Sequence, residues 1–253
     1  MLAAAHLVVA AAVEMNGRNV TDHCDKLFVD VGANTGQSLH QWYHSSDVGH
    51  GMSEFKRAAT WAERRRWCAD VFEANPSWSS KIMREVTYQR QAHKIDIRTY
   101  LGTPFSTSGG TVDFLRVDGI ANMGGTLSGA SDNSIGGNKV SQLQAMDGVR
   151  YLHDLPATHL ALKIDVENFE FKLLRDLIAS GALCSPRHPR VETHMFVEWH
   201  LPRPCPTCEG GVRQLFNVTT EGLPAGAVQM MEMLTWMLKG KACHKTVKLH
   251  RWW

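Results

Sequence analysis

Three short stretches of the chain concentrate residue types that chemistry uses. The first is Asp30-Val31-Gly32-Ala33-Asn34-Thr35-Gly36, at the end of the apolar run KLFVDV. A strand ending in Asp-x-Gly-x-x-x-Gly turns sharply, because glycine adopts backbone angles other residues resist, and it lets a ligand approach the main chain. The second is Glu73, which closes the run WCADVFE and offers acceptors for two neighbouring hydroxyls at once. The third combines HLALKIDVE, carrying Asp165 and Glu167, with His200 just after THMFVEW. Asp165 and Glu167 alternate along the chain, so in extended backbone they point to the same side. Histidine titrates near neutrality, so Asp165 first and His200 second are the candidate bases for activating a hydroxyl, with Glu167 orienting the acceptor or the helix turn. Glu167 and Glu170 also have a structural reading, since acids are favoured at a helix N-terminus.

Two kinds of nucleotide ligand compete for the glycine turn. A dinucleotide needs Gly-x-Gly-x-x-Gly, with an acid roughly 20 residues on to hold its ribose. Here Asn34 and Gln37 stand where the second and third glycines would be, and Glu73 lies much further along the chain. A ligand without phosphates suits the turn better. S-adenosylmethionine, with a sulfonium, an amino-acid end and a ribose, is such a ligand, and Glu73 is the natural partner of its ribose hydroxyls.

Apolar runs alternating with helical patterns predict an α/β fold, Rossmann-like, with a mostly parallel central sheet covered by helices on both faces. Strands are expected at Lys26 to Val31, Trp67 to Glu73, Val86 to Ala92, His159 to Val166, Thr193 to Trp199 and Cys243 to Arg251. Helices are expected over Gly36 to His44, after the turn Asn75-Pro76-Ser77, over Phe169 to Ser180 with Gly181 as its cap, and over the Met-rich Ala225 to Leu238. Residues 102–140, rich in Gly, Ser, Thr and Asn, read as an insertion or active-site flap with one strand at Thr111 to Val117. The main domain then runs over 24–253, behind an apolar segment at 1–23 that reads as a helix, a signal or the stub of an anchor.

A net charge of +2 gives no electrostatic footprint for nucleic acid. The run Glu63-Arg64-Arg65-Arg66 reads as a solvated helix end. No stretch approaches the ~20 apolar residues of a membrane-spanning helix. The six cysteines and the two Asn-Val-Thr sequons at Asn19 and Asn217 favour a secretory lumen or secretion over the cytoplasm. Cys24 and Cys68 should lie close, at the strand ends opposite the ligand, and Cys184 and Cys243 form a second possible pair. Cys205 and Cys208 admit a local disulfide, a redox pair or half a zinc site, but no second close pair completes a four-cysteine set. No metal ligands are assigned from the sequence.

FVDVGANTGQS (Phe28 to Ser38), VFEANP (Val71 to Pro76), LKIDVENFEFKLL (Leu162 to Leu174) and MFVEWH (Met195 to His200), in this order, resemble the FkbM-type methyltransferase family. The resemblance covers most of the chain, from about Cys24 to His200. It implies a class I methyltransferase fold and O-methylation of a sugar or a small natural-product hydroxyl. By residue-wise carry-over, Asp30, Gly32, Ala33, Asn34, Thr35, Gly36 and Glu73 would contact the donor S-adenosyl-L-methionine. Asn168 departs from the glycine the family carries after its Asp-x-Glu, and asparagine tolerates a left-handed turn better than other non-glycine residues. Two other functions compete: a catalytically inactive luminal protein that keeps the fold, and a nicotinamide-dependent oxidoreductase.

Overall fold

The computed structural model describes residues 24–44, 55–116, 125–127, 139–166, 169–184, 190–198, 232–241 and 245–252. The central sheet holds β1 (Lys26–Val31), β2 (Cys68–Glu73), β3 (Ile97–Leu101), β8 (His159–Ile164), β9 (Glu192–Glu198) and β10 (Val247–Trp252). Its order is β10-β9-β8-β1-β2-β3, and every neighbouring pair is parallel. The fold is therefore α/β, with the first strand in the middle of a parallel sheet.

Side-chain alternation along the strands builds two cores, one on each face. Leu27, Val29 and Val31 of β1 join Leu160, Leu162 and Ile164 of β8 in one core, together with Leu173, Leu174, Leu177 and Ile178 of α5 (Glu170–Ser180). Those four helix residues form an apolar stripe of helical period, and Gly181, at φ 75°, ends the helix in the left-handed region. Phe28 of β1 points the other way, into an aromatic core with Trp42, Phe55, Trp67 and Phe196. Its ring lies parallel to Trp42 of α1 (Gln37–Tyr43), with centroids 4.3 Å apart. Continuous burial on both faces is why β1 and β8 read as nearly continuous apolar runs.

Two expectations fail. Val86 to Ala92 is not a strand; it lies inside α3 (Ser79–His93), and the third strand is β3, ten residues later. Val, Thr and Tyr favour strands, but the buried residues Ile82, Val86 and Gln89 recur at helical spacing, and packing decides. Asn75 starts this helical segment by accepting from the Ser77 amide at 3.0 Å. The basic run is not uniformly solvated either. Arg64 closes the short α2 (Trp61–Arg64) and is buried, with its guanidinium 5.5 Å from the centre of the Trp42 ring. Stacked on an aromatic face, a guanidinium tolerates burial that an ammonium resists.

The glycine- and serine-rich stretch after β3 contributes to a second sheet. Its order is β4-β7-β5-β6, with β4 at Phe105–Ser106, β5 at Gly110–Arg116, β6 at Gly125–Leu127 and β7 at Lys139–Asp147. The expected strand at 111–117 is thus β5, except that Val117 lies outside the described residues. β7 pairs antiparallel with the whole of β5 and leads into α4 (Gly148–Asp154). Phe105 anchors this sheet in the first core, 4.9 Å from the ring of Phe72. The residues 232–239 are helical, and the apolar segment 1–23 and both sequons lie outside the described residues. No helix among the described residues is long and apolar enough to cross a membrane.

Cys24, just before β1, and Cys68, the first residue of β2, are joined by a disulfide with Cα atoms 5.9 Å apart. The side chains of Cys184, Cys205, Cys208 and Cys243 lie outside the described residues.

Candidate functional site

In the strand order β3-β2-β1-β8-β9-β10, the chain reverses direction of travel between β1 and β8. Ligands of open parallel sheets bind at such a switch point, beyond the carboxyl ends of the strands. The turn Gly32 to Gly36 lies there. Gly32 has φ 79°, and a Cβ on it would stand 1.7 Å from the backbone oxygen of Asp165 at the end of β8. Only glycine lets β1 and β8 close up at this point. The amides of Gly32 and Ala33 both donate to the Phe72 carbonyl, at 3.0 and 3.1 Å, which ties the turn to β2 as well.

Glu73 stands beside the turn. Its carboxylate accepts from the Asn34 amide at 2.6 Å and from the Asn75 amide at 2.7 Å, one bond on each oxygen. Each oxygen keeps a further lone pair for a ligand hydroxyl. Burial pushes its pKa up to about 7, and the two amide bonds only partly oppose that. Asn34, at φ 51°, occupies a left-handed position that asparagine tolerates. Its Oδ1 is buried and has no hydrogen-bond partner among the described residues. Thr35 is partly exposed and Gly36 is buried at φ 85°, against α3.

Other residues of the motif hold the turn from beneath. Ala33 packs in the aromatic core. Asp30 is fully buried, and its Oδ2 accepts from the Ser38 hydroxyl of α1 at 2.5 Å. Lys163 of β8 lies 3.4 Å from the other Asp30 oxygen and 3.1 Å from Asp165 Oδ2, and donates to the Gly32 carbonyl at 2.5 Å. Burial works against that ammonium, but Asp165 and Asp30 more than offset it and hold its pKa above the usual lysine range. Burial also raises the Asp30 carboxyl, with Lys163 and Ser38 opposing. Lys163 is thus the hub that locks β1, the turn and β8 together. Sequence reading missed it, although a lysine inside the apolar run HLALKI was a signal.

The structure brings Asp30, Gly32 to Gly36, Glu73 and Asp165 to one rim. Asp165 Oδ2 faces Lys163, and its side chain is 19% exposed. Glu167, Asn168 and His200 lie outside the described residues. Glu170, expected to serve the helix N-terminus, accepts from the Val166 amide at 3.2 Å and is buried.

The chain matches no family model, no curated protein and no solved structure with which it was compared.

The rim offers a carboxylate at a strand end and a turn tight enough for close approach. Lys163 is engaged below the turn by two carboxylates and a carbonyl.

Proposed function

We propose that this chain is an S-adenosylmethionine-dependent methyltransferase of class I fold, acting on a hydroxyl of a sugar or small natural product. The observation that carries the reading is the Glu73 carboxylate, held 2.6 Å from the Asn34 amide beside the glycine turn at the switch point. Glu73 holds the ribose, while Gly32, Asn34, Thr35 and Gly36 line the turn against the donor. Asp30 and Ala33 support that turn from inside. When bound, S-adenosylmethionine supplies a methyl carbon already activated by its sulfonium. What remains for the protein is alignment of the acceptor oxygen and exclusion of water, which together supply ~7–11 kcal/mol of such barriers.

Asp165 is the first candidate to take the acceptor's proton, with Lys163 fixing the orientation of its carboxylate; His200 is the second, and Glu167 orients the acceptor or the helix turn. A positioned base adds roughly 10²–10⁴-fold. The Cys24–Cys68 disulfide supports an oxidising compartment, and with it the secretory lumen or secretion.

One observation favours a second reading. The strand order is that of dinucleotide-binding domains, so a nicotinamide-dependent oxidoreductase shares the frame. The turn opposes it, because Asn34 and Gln37 replace two of the three required glycines.

Calorimetry separates the two. S-adenosylmethionine and S-adenosylhomocysteine should bind and NAD should not. Glu73→Ala should weaken donor binding by about 1.5–3 kcal/mol, the loss of charge-assisted hydrogen bonds. NAD binding in place of the donor would establish the second reading. With labelled donor and a panel of glycans and small alcohols, Asp165→Asn should keep donor binding and lose most turnover. Donor binding with no turnover on any hydroxylated acceptor would instead point to an inactive protein that keeps the fold.

A further inference from the structure

His40 lies in the last turn of α1, His44 caps that helix four residues on, and Glu85 sits mid-way along α3. His40 Nδ1 is 3.1 Å from Glu85 Oε1. The two imidazoles stack with centroids 3.8 Å apart and planes 17° from parallel. One ring nitrogen from each histidine and one Glu85 oxygen all lie within 4.8 Å of one another. Histidines four apart on a helix share a face, and here a carboxylate from a second helix meets that face.

His44 Nε2 is buried and has no hydrogen-bond partner among the described residues. The Glu85 carboxylate is steadied by the Gln89 amide, which donates to it at 2.6 Å. Metal-ligating carboxylates are commonly held by such an outer partner. His93, next in this array, is engaged by Arg65 at 2.6 Å.

We propose that His40, His44 and Glu85 bind one divalent transition-metal ion of the zinc type, with water in the fourth position. At metal–ligand distances of roughly 2.0–2.2 Å, tetrahedral ligand atoms stand about 3.3–3.5 Å apart, so the His40–Glu85 pair is already near that spacing. Side-chain rotation of His44 closes the remainder. Two imidazoles and a carboxylate suit zinc, nickel or copper and suit magnesium or calcium poorly. The ion clamps α1 to α3 directly behind the glycine turn, since the Glu85 Cβ lies 3.4 Å from where a Gly36 Cβ would be. The site stands apart from the donor rim, and it does not depend on the methyltransferase reading.

The test uses the full chain, stripped with chelator and titrated with zinc chloride. Wild type should take up one more equivalent than His44→Asn or Glu85→Gln, and its Tm should rise with zinc while theirs stays fixed. Loss of one ligand should weaken binding by more than the roughly 100-fold that loss of an outer partner costs. Cobalt should give a visible spectrum of nitrogen and oxygen ligation, without a thiolate charge-transfer band. Equal zinc uptake by wild type and both variants, or a thiolate band pointing to Cys205 and Cys208, would overturn the proposal. So would a wild-type chain that shows no zinc-dependent Tm shift, leaving the cluster as an ion pair only. His40→Asn, at a half-exposed position, keeps the test open if either other variant fails to fold.

Discussion

Replacing Glu73 by Gln removes a charge from a place that resists it, and the effect should be visible in stability before any ligand is added. Glu73 is 8% exposed, and burial raises its pKa from 4.5 to about 7 against the pull of the Asn75 and Asn34 amides. At about 1.36 kcal/mol for each pH unit, that rise corresponds to about 3 kcal/mol. The folded chain holds this proton more tightly than the unfolded chain. Its contribution is therefore fully present below pH 4.5 and is lost as pH rises through about 7. The Gln variant lacks the titration and pays a constant cost instead, because its amide NH2 meets one of the two backbone N–H groups. Urea unfolding of both proteins from pH 4 to 8.5 should show wild type losing about 3 kcal/mol relative to the variant. Parallel pH curves would refute the claim that burial outweighs the two amide bonds. Saturating S-adenosylhomocysteine should flatten the wild-type curve, because ribose hydroxyls donating to the carboxylate favour its ionised form.

Gly32→Ala should abolish donor binding and destabilise the fold by more than the ~1–2 kcal/mol of a left-handed L-residue, since its Cβ also meets the Asp165 oxygen at 1.7 Å; calorimetry and urea unfolding read the two effects. Lys163→Met leaves Asp30 and Asp165 without their shared ammonium and should cost roughly 3–5 kcal/mol. Adding Asp30→Asn should recover part of that loss, and a double variant no more stable than the single one would remove the Lys163–Asp30 pair from the account. Cys24→Ser with Cys68→Ser opens a loop closed across 44 residues and should cost about 3–4 kcal/mol, the range expected for loops of this length. Reductant should lower the Tm of wild type by more than that of the double variant.

Much of the parallel sheet was legible because β1, β2, β8 and β9 bury both faces, and such strands stand out as mostly apolar runs. The third strand was not. IRTYL is short and half-buried, while the helix before it carries Val86, Thr87 and Tyr88 and mimics a strand over seven residues. β7 went unread for a related reason: KVSQLQAMD alternates, but its partner β5 precedes it across 22 residues of Gly- and Ser-rich chain, and the pairing has no local signature. At the rim, the glycine turn and Glu73 were readable because their types and order carry the geometry. That Asp30 faces inward and Lys163 joins three elements could not be read, since both depend on contacts between residues more than 130 positions apart.

Those distant contacts bear on how the chain is made. β1 is central, yet its β8 side stays bare until residues 133 positions later arrive, as the Asp25–Thr158 contact shows. At 5–20 residues per second, a ribosome needs about 7–27 s to supply them. During that interval β1 exposes an unpaired parallel edge, the kind of edge that templates aggregation. The β2 side is covered much sooner, and the Cys24–Cys68 bond can already secure it while the second half is still being synthesised. A nascent chain halted before residue 159 should therefore be the species most dependent on chaperones, and the loss of either cysteine should be felt there more sharply than in the finished protein.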